Sequence, residues 1–407
     1  HPQCGHGGGV FIYGIIEHLL PRHEVTLVSF CDKKELVLSR DLLKLPLECH
    51  FVPRGKGAQK NNLWNAYLVL LRSFQLARSI IFWQPYYVSK FRHPRMARLI
   101  KRLTQCTSYD VVQVEFTQMA QYRKSVRSGK TFLHEIDVSF RPAYRRYKKA
   151  TSPFKKVVMF IEWCRWALYE PKIVKQFDHV LSVTEQDKRL LQRLSGMKHI
   201  SYFSSGVDVA KSIPEYASRD PQTILFVGTF SHHPNVDAAL WLCHEIFPLV
   251  SQRFPKAMLY LIGTNPSLAL SEFGKRNHAI RVLGFVEDII PYFQRCSVFV
   301  APLRYGGGVK VKILHAMARG IPVVTTKVGA EGIKGVNSKN ILIGNSAQEF
   351  SDNICSLLQN PERAMSIGKH GWENVRTHYS WEIVVHLLEE IYRSVLVDES
   401  STMSKRN

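Results

Sequence analysis

The stretch SVFVAPLRYGGGVKVKILHAMARGIPVVTTKVGAEGI, residues 297–333, decides how the chain is read. Val298-Phe-Val-Ala301 is a short apolar run of the kind that forms a buried parallel strand, and Arg304-Tyr-Gly-Gly-Gly308 follows it as a flexible turn. Lys310 to Arg319 places Val311, Leu314, Met317 and Ala318 at helical spacing, and Gly320-Ile-Pro322 supplies a glycine C-cap followed by a proline stop. A second strand is predicted at Val323–Thr326. Strand, glycine loop, helix and strand in this order bring free backbone N–H groups and the positive end of a helix dipole to one spot, which suits a phosphate. Arg304, Lys310 and Lys312 add full positive charges, enough to neutralise a diphosphate without a metal. Taken alone, such a loop is equally a tight turn with solvated cations.

The run A-P-L-R-x-G-G-G-x-K-x-K-I-L-x-A-M-A-x-G-I-P-V-V-T-T-x-x-G-A-E-G resembles the donor-site segment of glycosyltransferase family 4, in the branch with a glycine-rich loop. The resemblance implies an α/β protein of the GT-B fold, with two Rossmann-like domains whose parallel sheets face across a cleft. It also implies retaining transfer of a sugar from a nucleotide-sugar donor, with no cofactor and no metal. Donor-binding candidates are then Gly228, Thr229, Arg304, Gly306, Gly307, Gly308, Lys310, Lys312, His315 and Glu331. Two departures stand out. His315 occupies the position of a Glu that clamps the nucleotide ribose in that family, and the second acidic residue of the usual pair falls within Gly306–Gly308. An imidazole can still hydrogen-bond a hydroxyl, with different charge and reach.

Other matches extend over most of the chain. Gly7-Gly8-Gly9 opens a helix predicted over Val10–Leu20, followed by a strand at Glu24–Phe30, and resembles the first loop and helix of a GT-B domain. Gly8 and Gly9 are therefore candidates for the phosphate loop or the acceptor side. In that family a strand precedes such a loop, so the resemblance implies that the numbering starts after it. Asp110–Glu115 and Thr131–His134 read as strands, and His134 and Asp137 lie at the carboxyl end of the second, where ligands collect in open α/β sheets. They are the candidate catalytic residues on the acceptor side. Thr184 with Glu185 behind the strand Asp178–Val183 reads as a capped helix start. Ser204-Ser-Gly-Val-Asp208 resembles the end of the first domain, and Thr223–Val227 with Gly228-Thr229 resembles the F-V-G loop of the second. The Lys or Arg that commonly follows that loop is replaced by Ser231, His232 and His233. Gly284 to Glu287 resembles the segment that holds the nucleotide base. The expected organisation is an acceptor-side domain at 1–203, a donor domain at 204–378, a helix at 379–395 packing back on the first domain, and a frayed polar tail at 396–407.

Composition fits two globular cores: 407 residues, 45% hydrophobic, with no apolar run of the length of a membrane span. The eight cysteines show no C-x-x-C and no framework spacing, so they read as reduced thiols of a cytoplasmic chain without a metal site. The net charge of +22 is uneven: residues 1–200 hold 34 basic and 15 acidic side chains, and residues 51–100 hold nine basic and none acidic. Aromatic residues beside these cations, in 61–104 and in 141–168 (Arg141, Arg145, Arg146 and Lys148 among them), favour a peripheral site on the inner face of a membrane rather than simple solubility. The expected partners are a nucleotide-sugar donor, a glycan or lipid-linked acceptor and an anionic membrane surface, in cell-surface or extracellular polysaccharide synthesis. Charge alone suggests a nucleic-acid binder, and no recognition motif supports that. An inactive relative that binds a nucleotide-sugar, or a GT-B epimerase, are the alternatives.

Overall fold

The computed structural model describes residues 7–32, 35, 40–53, 62–136, 138–213 and 218–403. Among these residues the fold is mixed α/β, with three parallel sheets. Strands β1 (Thr26–Phe30) and β2 (Glu48–Val52) pair with each other. Strands β3 (Val111–Glu115), β4 (Lys130–Glu135), β5 (His179–Ser182) and β6 (Ile200–Tyr202) form a second sheet in sequence order. The third sheet contains β7 (Thr223–Val227), β8 (Met258–Ile262), β9 (Ile280–Gly284), β10 (Val298–Ala301), β11 (Val323–Thr325) and β12 (Leu342–Ile343). Its order is β12-β11-β10-β7-β8-β9, so the chain winds outward in opposite directions from β7 and β10.

The apolar runs behave as their sequences dictate. Val298, Phe299, Val300 and Ala301 are all inaccessible to solvent, as a central strand covered on both faces requires. Helices above and below supply that cover, with one core cluster built around Phe226, Leu259 and Phe350 and another around Phe299, Leu314 and Tyr379.

The helices that position the site and its surroundings are α1 (Gly7–Leu19), α2 (Asn62–Ile81), α3 (Phe140–Lys149), α4 (Pro153–Val174), α5 (His233–Trp241), α6 (Val311–Met317) and α7 (Trp381–Met403). Helix α6 is shorter than the predicted Lys310–Arg319, because Lys310, at φ −87° and ψ 82°, is its N-cap and Ala318 its C-cap. Gly7, Gly8 and Gly9 form the first turn of α1 itself rather than a loop before it. Helix α7 runs through Met403, past the predicted end near 395. It returns across the first half of the chain, where Trp381, Val385 and Leu388 share a core with Phe11, Ile15 and Leu19 of α1. No helix among the described residues is long and apolar enough to cross a membrane.

Candidate donor and acceptor site

In an open parallel sheet, ligands bind beyond the carboxyl ends of the strands at the point where strand order reverses. Here that point lies between β7 and β10. Gly228 follows β7, and the loop from Arg304 to Lys310 follows β10, so the two glycine loops predicted from sequence flank the reversal. Gly228 is tightly enclosed: a Cβ there would stand 2.8 Å from Lys312 Nζ and 2.8 Å from Asn235 Cγ. Asn235 Nδ2 donates to the Thr229 carbonyl at 2.9 Å and Asn235 Oδ1 accepts from Lys312 Nζ at 2.7 Å, so one amide ties the first loop to the base of the second. Gly306 and Gly308 have φ of 142° and 63°, which glycine adopts without a Cβ penalty.

The cations around this loop differ in availability. Arg304 makes a two-point pair with Asp237 of α5, at 2.9 and 2.7 Å, and lies 5.2 Å above the Trp241 ring. The fork expected to meet phosphate is thus engaged by a carboxylate, which also raises the guanidinium pKa. Lys310 is buried and donates to the Gly308 carbonyl at 2.7 Å, bracing the loop. Lys312 sits 4.8 Å over the Phe226 ring; burial, with the Lys310 charge second, brings its pKa down to about 7. Burial and the Arg319 charge push His315 down to about 4, so it is neutral at physiological pH despite Asp208 nearby. His232 is likewise lowered, by burial and then by Lys312, and His233 Nδ1 pairs with the Tyr305 hydroxyl.

The opposite wall comes from the carboxyl edge of the β3–β6 sheet. Gly332 approaches Thr184 so closely that a methyl group on it would stand 3.0 Å from Thr184 Cγ2, and Val309 packs against the core that contains Phe11 and Phe203. Arg145 of α3 donates to the Gly306 carbonyl, and its Nη2 lies 4.0 Å from Glu331 Oε2. The carboxyl edges of the two sheets therefore meet. Arg145, expected on the basic lipid-facing surface, points instead into the cleft. His134 is buried at the end of β4, with Nδ1 2.7 Å from Glu115 Oε2. Glu115 faces it because the two are register partners in the parallel pair β3–β4. Gln113 Nε2 donates to Glu115 Oε1 at 2.6 Å and Tyr392 donates to Gln113 Oε1 at 2.5 Å, extending the chain of hydrogen bonds to α7. His134 Nε2 has no hydrogen-bond partner among the described residues and is enclosed, with the Phe11 and Phe203 rings 5.1 and 5.4 Å from the imidazole, so the residue expected to face the acceptor lies in the core instead. Gly8 faces Phe116 and Ile136, at the ends of β3 and β4. Asp137, the other acceptor-side candidate, lies outside the described residues.

Sequence reasoning missed Asn235, Asp237, Glu115 and the placement of Arg145. Of these only Glu115 carried a signal, since parallel strands ending in Glu115 and His134 must bring those ends together.

This arrangement is a GT-B fold, and comparisons with known proteins agree. Residues 221–360 match the family model of Glycosyl transferases group 1. The crystal structure of Anabaena HepE in complex with UDP superposes with a TM-score of 0.65 at 12% identity, covering 96% of each chain. A glycosyltransferase from Rickettsia africae gives 0.64 at 14% identity, again over 96% of both. Among curated sequences, an uncharacterized 44.6 kDa protein in the cps region of Klebsiella pneumoniae is 24% identical over 250 residues, 57% of this chain and 61% of that one. A GDP-mannose-dependent alpha-(1-6)-phosphatidylinositol monomannoside mannosyltransferase of Mycobacterium tuberculosis is 22% identical over 218 residues, 48% of this chain. The chain thus spans 61% and 56% of the length of these two relatives.

Proposed function

We propose that this chain is a retaining, metal-independent glycosyltransferase of family 4, in the glycine-rich loop branch. It moves a sugar from a nucleoside-diphosphate donor to a glycan or lipid-linked acceptor in polysaccharide synthesis, working at the cytoplasmic face of a membrane. The observation that carries this reading is the pair of glycine loops at the strand-order reversal, with Lys312 between them. A diphosphate on the Gly306–Gly308 amides would meet Lys310 and Lys312, and this fixed positive potential stabilises the charge that builds on the leaving group. Binding an anion returns the proton to Lys312. Neutral His315 accepts or donates one hydrogen bond at the ribose, and Glu331 reaches a sugar hydroxyl. His134, tied to Glu115, supports the acceptor side from within the core rather than by direct contact with the acceptor. The acceptor attacks from the face on which the diphosphate leaves, so no protein nucleophile is required.

The membrane role rests on aromatic and basic side chains exposed at two places on the surface. The carboxyl half of α2, the turn after it and the start of α4 expose Phe74, Ile81, Phe82 and Phe154, the last 78% accessible. The two helices are joined where Arg165 donates to Ser79 Oγ at 3.0 Å and stacks 5.0 Å from the Trp83 ring. Cations flank both places, with Arg78 over Phe82 and Lys156 over Tyr147. Trp166, in contrast, is buried against Val88 and Ala143 and belongs to the core. An exposed mixture of this kind suits an anionic interface. The mycobacterial relative is named for a phosphatidylinositol monomannoside acceptor, which supports a lipid-linked substrate.

The test is release of nucleoside diphosphate from a panel of UDP- and GDP-sugars, with and without a lipid extract as acceptor. Acceptor-stimulated release from one donor is expected. Tight donor binding with no release would instead favour an inactive relative, a reading motivated by His315 in place of the family's Glu.

A further inference from the structure

A donor site on the Gly306–Gly308 loop requires positive charge facing the diphosphate, and the cations on its own side are largely committed. Arg304 has its fork on Asp237, Lys310 braces the Gly308 carbonyl, and Lys312 is held by Asn235 against Phe226. The loop after β7 carries Ser231, His232 and His233 where the resembled family commonly has Lys or Arg. A further guanidinium, that of Arg145, reaches the glycine loop from the other sheet's side of the cleft.

We propose that Arg145 is a phosphate clamp of the donor site, reaching across the cleft to bind the diphosphate of the nucleoside-diphosphate donor on the Gly306–Gly308 loop. The proposal rests on the donor-site reading. Helix α3 is firmly anchored: Ser139 N and Phe140 N at its start donate to Glu170 at 2.7 and 3.0 Å, and Arg141 pairs with Asp187 at 2.9 Å. Arg145 lies one turn beyond Arg141 on the same helix face, which aims it at the loop. Its present contacts include a single carbonyl acceptor and a loose ion pair at 4.0 Å to a part-exposed Glu331. Such a pair is weak in water, whereas two phosphate oxygens accept from a guanidinium in parallel and carry full charge. A diphosphate arriving on the loop therefore outcompetes Glu331 for Arg145. The exchange leaves the Glu331 carboxylate free for a hydroxyl of the same donor. It also links donor binding to closure, since Arg145 reaches the phosphates only while the two sheets' edges are together.

The experiment titrates UDP, GDP and their monophosphates into the full chain and into Arg145→Gln and Arg145→Lys, each checked for an unchanged circular dichroism spectrum and melting temperature. Gln keeps a donor for the Gly306 carbonyl and removes the charge. The expected result is a loss of about 10–100-fold in diphosphate affinity for Arg145→Gln, in line with a charge-assisted hydrogen bond. Monophosphate affinity should change less than about 3-fold, the slope of affinity against salt should become shallower, and Arg145→Lys should recover part of the loss. Wild-type diphosphate affinity and salt slope in Arg145→Gln would overturn the clamp while leaving the donor site standing. Equal weakening of mono- and diphosphates would also overturn it, by showing that Arg145 only shapes the loop. A wild-type chain that binds no diphosphate would overturn both the clamp and the reading on which it rests.

Discussion

Lys312 donates from Nζ to Asn235 Oδ1 at 2.7 Å, with the Phe226 ring 4.8 Å beneath it. An ammonium with one amide and one ring for company is poorly solvated, and burial together with the Lys310 charge accounts for its pKa of about 7. An anion placed on the adjacent loop restores the charged form. Diphosphate binding should therefore take up a proton when measured between about pH 7 and 9, and affinity should fall as pH rises through this window, by up to about tenfold per unit. Calorimetry in buffers of different ionisation enthalpy checks this. Uptake should vanish in Lys312→Met, and wild-type binding without proton uptake would contradict the assignment.

Trp381 fills the space of two missing side chains. A methyl at Gly14 would stand 2.0 Å from its Cζ2, and one at Gly206 would stand 2.2 Å from its Cε3. The ring docks α7 on α1, stacking 5.2 Å from His18. Trp381→Ala should cost about 3–5 kcal/mol in denaturant unfolding through lost burial and a cavity. Gly14→Ala should cost about 1–3 kcal/mol through overpacking. Loss of under about 1 kcal/mol in Trp381→Ala would mean that the returning helix is not fastened there.

Acid should destabilise the fold through histidines that are kept neutral. His179 is brought to about 4 by burial, with the His199 charge second, and its Nε2 shares a hydrogen bond with Ser201 Oγ over 2.9 Å. Because its folded pKa is below the unfolded value of 6.5, its contribution is fully present above 6.5 and is lost as pH falls towards 4. Glu170 works in the opposite direction: burial raises it to about 7, so its protonation favours the fold as pH falls from 7 to 4.5. Comparing variants separates the two. His179→Gln should lose about 1–3 kcal/mol less than wild type between pH 7 and pH 4, as measured by urea melts at each pH. Identical acid slopes would contradict the assignment to His179.

The exposed aromatic and basic side chains at α2 and α4 predict sedimentation with anionic vesicles and little with neutral ones, weakened by salt. Replacing both Phe82 and Phe154 with Ser should reduce partitioning by at least about tenfold, given roughly 1.5–3 kcal/mol per buried aromatic side chain. Equal recovery with neutral vesicles would count against an electrostatic interface.

The sheet that carries the candidate donor site was legible because its strands are short apolar runs, as in Thr223–Val227 and Val298–Ala301, and burial on both faces leaves such runs little alternative. The small strand Glu48–Val52 was not, since it mixes Glu48 and His50 with Cys49 and Phe51 and shows no buried run. Candidate residues were legible by type and loop but not by commitment. Nothing in the sequence says that Arg304 is taken by Asp237, 67 positions away, or that Arg145 of a basic helix faces inward while Lys148, further along the same helix, lies exposed. Those choices depend on how distant elements pack, which local periodicity does not encode.

The central claim, a nucleoside-diphosphate site between Gly228 and the Gly306–Gly308 loop, is tested most directly by calorimetric titration of the folded chain with UDP and GDP, repeated on Lys312→Ala. Selective micromolar binding of one diphosphate is expected, weakened about 10–100-fold by the substitution through loss of a charge-assisted hydrogen bond. Absence of binding to either diphosphate, or binding indifferent to Lys312, would contradict it.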